Sequence, residues 1–539
     1  MICKRKRVKN EMADMKKNTS HTIRRAQRFP VILIGEGLLV GIVGGLTVLL
    51  YRVALSYAGD WLHAILSYIK GRPVRIIGWF LVLVLLAVIV GKLVKWEPMI
   101  SGSGIPQVEG EVTGKLRQNW KKVLPAKFIG GFLCLFSGLS LGREGPSIQL
   151  GAMIGQGISR ILDRGKTEER YLMTCGASAG LAAAFHAPLA GVMFAIEEIH
   201  KGFSVSILIS VMTASVTADF ISSYIIGLDP VFAFRLDEFL PQRYYGLLLL
   251  LGVIVGVAGV FYNWAMLKVQ ELYKKPKCLD ETGRLLIAFL TAGVLGLCMP
   301  EVLGSGHELI VSLTDGEMVL KTVLFVLVVK FVFSAVSFGS GAPGGIFFPL
   351  LILGAMIGGA FAMIGTQWFG LQQQYINNFV LLAMAGFFTA IVRAPLTGIV
   401  LLFEMSGSVS QMLSLSIVSV TAYIVATLLR SAPIYESLLE RILTAQKSKA
   451  VGGNEKKAGG QKVLNTFTIM NGSVLEERCV QEITWPDNCL LIALERNGKE
   501  MIPRGKTKLM AGDVLTTITD ERDAGYVHDK MEKLCYTSF

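Results

Sequence analysis

Between about residue 30 and residue 443 the chain repeatedly strings apolar residues into runs close to the length of a membrane-crossing helix. The runs "VILIGEGLLVGIVGGLTVLL" (31–50), "IIGWFLVLVLLAVIVG" (76–91), "YYGLLLLLGVIVGVAGVFY" (244–262) and "VLKTVLFVLVVKFVFSAVSF" (319–338) approach the roughly 20 residues that span a bilayer as helix. Only 17% of the 539 residues are charged and 52% are hydrophobic, whereas soluble domains hold about 25% charged residues. The pattern excludes an ordinary soluble fold and implies a multi-span α-helical membrane protein. Other apolar segments are shorter and interrupted by Gly or Pro. Such breaks are tolerated only where neighbouring protein or a water-filled cavity satisfies the freed backbone.

The flanks differ from this region. Residues 1–29 form a basic tail, with ten Lys or Arg against two Asp or Glu in residues 1–28. The positive-inside rule makes that tail cytoplasmic. No aromatic residue precedes Phe29 and no nucleic-acid-binding fold fits, so nucleic acid is not an expected partner. No apolar core follows the positive start before residue 30, so a cleaved signal peptide is not expected. The eight cysteines are scattered without a CxxC pair, which argues against a disulfide framework or a zinc site.

Beyond residue 443, "AQKSKAVGGNEKKAGGQ" reads as a flexible linker covering residues 444–462. Residues 463–539 then change texture. Short β-type runs follow one another in "VLNTFTIM", "CVQEITWP", "CLLIALERNGKEMIPRG" and "DVLTTITD", before a helical "DERDAGYVHDKMEKL". Asn497-Gly498 between two apolar runs is a hairpin signal. These features predict a small soluble α+β domain.

The membrane region contains an internal repeat. "LGAMIG" occurs at 150–155 and 353–358, "GSG" at 102–104 and 304–306, and "APLAG" (187–191) matches "APLTG" (394–398). Three landmarks in order at nearly constant offset indicate duplicated halves, about 30–225 and 243–443. Duplicated membrane halves usually build a transporter, commonly with inverted copies and a site where they meet.

The repeat sets "GREGP" (142–146) opposite "GIFFP" (345–349). Each is a Gly-flanked loop feeding a helix start, with Pro146 and Pro349 in the first turn. Helix N-termini carry free N–H groups and partial positive charge. Two of them aimed at one point make an anion site. "GSGIP" (102–106) adds a hydroxyl to a similar helix start. The substrate suggested is a small anion. Glu144 can itself occupy the anion's place, or take a proton and leave it; a lone carboxylate in a membrane is a functional candidate by default. The alternative role is an ion pair with Arg143.

Together, "GSGIP", "GREGPSIQLGAMIG", "AAAFHAPLAGVMFAIEEI" and "GAPGGIFFPLLILGA" resemble the CLC chloride channel/transporter family over about residues 30–443. The resemblance implies two inverted repeats of tilted and broken helices, and a homodimer in the cell membrane with an anion pathway in each subunit. It further implies that Ser103, Gly104 and Ile105, Arg143 and Gly145, Ile346, Phe347 and Phe348, and Tyr435 surround the anion. Ser103 and Tyr435 are similar to the serine and tyrosine whose hydroxyls face it, and Ile346 and Phe347 offer backbone N–H groups. Glu144 resembles the external gating glutamate. Glu198 falls where the exchanger branch carries its internal proton-transfer glutamate, whereas channel members usually lack an acid there. The repeat aligns Glu197 with Glu404, which suggests a shared structural role. His186 departs from the asparagine common in the family, and Arg393 holds its repeat position. Capping or lining the loop suits His186 better than pH sensing.

The expected function is therefore exchange of chloride for protons, with a passive chloride channel of the same fold as the alternative. No enzyme signature stands: His307-Glu308 begins like a zinc-protease motif, but Val311 occupies the place of the second His. No "TVGYG"-type potassium filter is present. Residues 463–539 resemble a TrkA-C type regulatory domain, which implies a cytoplasmic module for dimerisation or for an unidentified ligand. No cofactor is expected. The expected partners are chloride, protons, membrane lipids and a second copy of the chain.

Overall fold

The computed structural model describes the chain except residue 1 and residues 203–204, 228–235, 237–239, 276–279, 408–410, 451–461, 471, 497–498, 521–522 and 537–539. Among the described residues, eight helices are long and apolar enough to cross a membrane: Val31–Ile69, Pro73–Trp96, Ile207–Ile226, Gln242–Lys274, Glu281–Cys298, Leu320–Gly339, Phe347–Trp368 and Gln373–Val392. The first is the apolar part of a helix running Ile2–Ile69. On Pro73–Trp96, Leu83, Ala87 and Val90 are buried while Ile77, Leu81 and Leu85 stand exposed. A helix apolar on both its packed and open faces suits lipid, since in water the open face would be costly.

Between the spans lie short helices that begin in breaks: Ile105–Val112, Pro188–Phe194, His307–Thr314 and Pro395–Ser406. They fall in pairs at the offset of the sequence repeat, and the contacts between the halves are reciprocal. Glu197 accepts hydrogen bonds from the backbone N–H of Leu396 (3.4 Å) and Thr397 (2.9 Å), at the start of the Pro395 helix. Glu404 accepts from Leu189 (2.9 Å) and Ala190 (2.7 Å), at the start of the Pro188 helix. Each acid thus caps the other half's helix, where N–H groups have no intrahelical acceptor. This is the shared role that the repeat suggested.

Two buried lysines follow the same rule. Lys127 Nζ donates to the carbonyls of Ile100 (2.9 Å) and Gly102 (2.7 Å). Lys330 Nζ donates to Val302 (2.8 Å) and Gly304 (2.9 Å). His186 and Arg393 also match, as left-handed C-caps at φ 54° and 73°. Reciprocity of this kind is that of a two-fold axis.

The C-terminal domain is a four-stranded antiparallel sheet in the order β1-β4-β2-β3, formed by β1 (Lys462–Thr468), β2 (Cys489–Arg496), β3 (Lys499–Met501) and β4 (Val514–Asp520). The closing helix Ala524–Tyr536 packs Val527 and Met531 onto Phe467, Leu494 and Leu515. β2 and β3 pair with Arg496 opposite Lys499; the Asn497-Gly498 turn lies outside the described residues. "CVQEITWP" is not a strand. Glu482 bonds back to the Cys479 N–H (3.0 Å) and the Trp485 indole donates to the Val480 carbonyl (2.9 Å). These local bonds hold a 3-10 turn over Val480–Glu482. The segment read as linker begins as helix, because Ile434–Ala450 runs on into it.

Candidate anion site

Three glycine loops meet at the centre of the membrane region. Gly142 and Gly345 exchange backbone hydrogen bonds at 2.7 and 2.8 Å, which ties the start of the Glu144–Ile161 helix to the start of the Phe347–Trp368 helix. Gly102 donates to the Gly341 carbonyl (3.3 Å) and accepts from the Gly344 N–H (3.0 Å). With Lys127 on its other side, the "GSG" backbone is clamped from both directions. Gly104 holds φ +96°, a left-handed turn that opens the Ile105–Val112 helix. At Gly145 a Cβ would fall 2.5 Å from Ser103 Oγ, so the absence of a side chain lets the two loops touch. The structure thus brings Ser103, Gly104, Ile105, Arg143, Glu144, Gly145, Ile346, Phe347 and Phe348 to one place. Tyr435, at the start of Ile434–Ala450, lies within electrostatic reach of both Glu144 and Glu198.

Two of the polar atoms here lack a protein partner. Ser103 Oγ and Tyr435 Oη are buried without a hydrogen-bond partner, while the Glu144 carboxylate turns back to its own backbone N–H and to that of Phe348 at the two helix starts. Buried polar groups are nearly always partnered, so orphans beside the paired helix starts mark a place for a ligand. The nearest cation to Glu144 is Arg143, whose Nε lies 3.9 Å from Oε1. That distance is beyond hydrogen-bond range, so the pair does not tie the carboxylate down. Phe347, which replaces Glu144 in the second half, is packed instead. Its ring lies 5.4 Å from Phe185, 6.3 Å from Phe194 and 4.8 Å from Phe388.

Two cavities approach this centre. One, of about 640 Å³, is lined by Arg52, Arg143, His186, Gly304, Ser305 and Phe348 among others. The second, of about 290 Å³, reaches Gly102 and Ser103 and is lined by Lys274, Arg284 and Arg441. The twin "GSG" loops therefore face different cavities, as an inverted repeat requires. At the mouth of the first, Arg52 bonds the His186 ring (2.6 Å), and the other ring nitrogen faces Ser223 (3.1 Å).

Glu198 lies on neither cavity. It sits on a π-helical turn, Ala195–His200, that widens the end of the Pro188 helix. Glu198 is 5% exposed and its Oε1 has no partner. Lys201 neighbours it, bonded to Glu109 (2.8 Å) and Glu436 (2.5 Å). Sequence reasoning missed Glu109, Lys201 and Glu436, which only the fold assembles. It also missed Lys127 and Lys330, although a "KF" pair at 127–128 and 330–331 stands at the repeat offset.

A family model described as "Voltage gated chloride channel" matches residues 86–427, well over half of the chain. The chain belongs to that family. A TrkA-C domain model matches residues 465–531. Among curated relatives, the H(+)/Cl(-) exchange transporter ClcA of Vibrio cholerae serotype O1 (strain M66-2) is 37% identical over 455 residues, spanning 81% of this chain and 95% of its own. The protein of that name from Salmonella paratyphi C (strain RKS4594) is 31% identical, over 80% of this chain and 93% of its own. Among solved structures, a slow cyanobacterial Cl-/H+ antiporter superposes with a TM-score of 0.74 at 30% identity, covering 77% of this chain and 99% of that one.

Proposed function

We propose that this chain is a secondary active transporter that exchanges chloride for protons across the cell membrane. The observation that carries the reading is Glu198, a buried carboxylate with an unpartnered oxygen that lies off the cavity reaching Ser103. Coupled exchange needs a proton group away from the anion path, and a passive conductor has no use for one. The relatives named as exchange transporters, and the antiporter structure, support the same reading.

In this mechanism chloride rests among the Ser103 and Tyr435 hydroxyls and the N–H groups of Ile346 and Phe347. Arg143 and Gly145 shape the neighbouring helix start, and Gly104, Ile105 and Phe348 complete the wall. The Glu144 carboxylate competes with the anion for the dipoles of its helix start. Once protonated it is neutral and leaves the site to chloride. The proton comes from, or goes to, Glu198 on the inner side. Both termini lie in the cytoplasm, and two copies assemble with a pathway in each.

The test is reconstitution of the full chain in liposomes. An imposed chloride gradient should drive protons uphill. Glu198→Gln should keep chloride movement and lose proton movement, and Glu144→Ala should pass chloride uncoupled from protons. Chloride flux without proton movement in the unaltered chain would make it a passive channel and end the exchanger reading.

A further inference from the structure

The C-terminal domain is not a free appendage. Asp529 of its closing helix bonds Lys115 Nζ at 2.7 Å, just past the end of the Ile105–Val112 helix. Asn465 on β1 accepts from Arg170 (3.0 Å), and the Leu464 carbonyl accepts from Thr167 (3.3 Å). Thr466 meets the Tyr171 hydroxyl, and the Tyr171 ring lies 5.6 Å from His200 on the π-helical turn. The domain therefore sits against the elements that carry Glu109 and Glu198.

We propose that Glu532 of the C-terminal domain collects protons from the cytoplasm and passes them to Glu198 through the carboxylates gathered around Lys201. The proposal rests on the exchanger reading above. Glu532 lies three residues after Asp529, so both share the face of the helix turned to the membrane region. The charged groups that act on it come from every neighbouring element: Lys201 beyond the π-turn, Lys115, Glu436, and Asp529 on its own helix. His528, also on that helix, has Nε2 3.7 Å from Glu532 Oε1. Lys201 in turn bonds Glu109 and Glu436, and its charge acts on Glu198. Glu109 Oε2 and Glu198 Oε1 are buried acceptors without partners, so each can receive a proton. None of these groups lines the cavity that reaches Ser103, which keeps the proton and anion routes apart.

Two further facts fit. Burial raises the Glu532 carboxyl above its ordinary value, with Lys201 and Lys115 opposing, so it can both take and release protons nearer neutrality. Burial holds the adjacent His528 down to about 4, so it is neutral and adds no competing positive charge.

The experiment uses the full chain in liposomes, with proton flux measured at cytoplasmic-side pH values from about 5 to 8. The unaltered chain must first move protons uphill; if it does not, the exchanger reading itself fails. Given that it does, Glu532→Gln should cut proton flux about fivefold at the alkaline end, where protons are scarce, and little at the acid end. Glu532→Asp should restore it. Chloride flux in a Glu144→Ala background should be the same with and without Glu532→Gln. Unchanged proton flux at every pH overturns the proposal. So does a proportional loss of chloride flux in the Glu144→Ala background, which would mean that Glu532 merely holds the fold.

Discussion

Lys127 and Lys330 make the same two bonds to twin loops, but only one of those loops carries Ser103. Replacing either lysine by methionine keeps the volume and removes two charge-assisted bonds. Each orphaned buried carbonyl costs about 1–3 kcal/mol. Lys330→Met orphans two, roughly 2–6 kcal/mol, whereas after Lys127→Met the Gly102 carbonyl still accepts from the Gly344 N–H and only that of Ile100 is orphaned. Removing a buried charge with no counter-ion returns a few kcal/mol. Thermal unfolding in detergent should therefore show the larger shift for Lys330→Met. Chloride affinity should separate them. With Lys127 gone, the Gly102 carbonyl keeps only the Gly344 N–H, the loop is clamped from one side alone, and the Ser103 hydroxyl drifts from its place. One hydrogen bond to an anion is worth about 1.5–3 kcal/mol, so calorimetry should find Lys127→Met weaker for chloride by about tenfold to a hundredfold. Lys330→Met should bind chloride within about twofold of the unaltered chain. Equal losses of affinity in the two variants would refute the assignment of Ser103 to the anion.

Other outcomes follow from the same geometry. Gly145→Ala would place a Cβ 2.6 Å from the Ser103 carbonyl oxygen, an overpacking worth about 1–3 kcal/mol; calorimetry should show chloride binding weakened at least tenfold. Glu404→Gln removes the charge from the start of the Pro188 helix and should lower the unfolding midpoint by the equivalent of about 1 kcal/mol, with no change in proton-to-chloride stoichiometry. His528 has a folded pKa of about 4 against an ordinary 6.5, so the unfolded chain binds its proton first. The stability it contributes is complete above about pH 6.5 and falls by up to about 3 kcal/mol as the pH drops towards 4. Hydrogen exchange in the closing helix of the full chain should speed up over that window, and His528→Phe should flatten the change.

The sequence was most informative where backbone chemistry is local. Gly104, Gly142, Gly145 and Gly345 announce loops that approach closely, and the prolines after them announce helix starts. The repeat then sets the two helix starts opposite each other from the sequence alone. Glu197 and Glu404 were legible for the same reason, since one offset aligns them. What could not be read depends on distant segments. Lys201, Glu109 and Glu436 are far apart in the chain and meet only through tertiary packing. The π-turn under Glu198 has no compositional signature. "CVQEITWP" alternates like a strand, but a capping interaction from Glu482 won locally. The contact of the C-terminal domain with Lys115 and Arg170 had no trace in either segment alone.

The two cavities also fix where a membrane voltage would fall. Water that fills them from opposite sides carries each bulk potential inward, as far as Arg143 on one side and Ser103 on the other. The potential is left to drop over the stretch between them, where Glu144 stands. A full charge crossing a membrane exchanges about 2.3 kcal/mol with each 100 mV, and here that work falls on the stretch between the cavities. A swing of one carboxylate across that stretch would therefore be felt electrically almost as if it had crossed the whole bilayer.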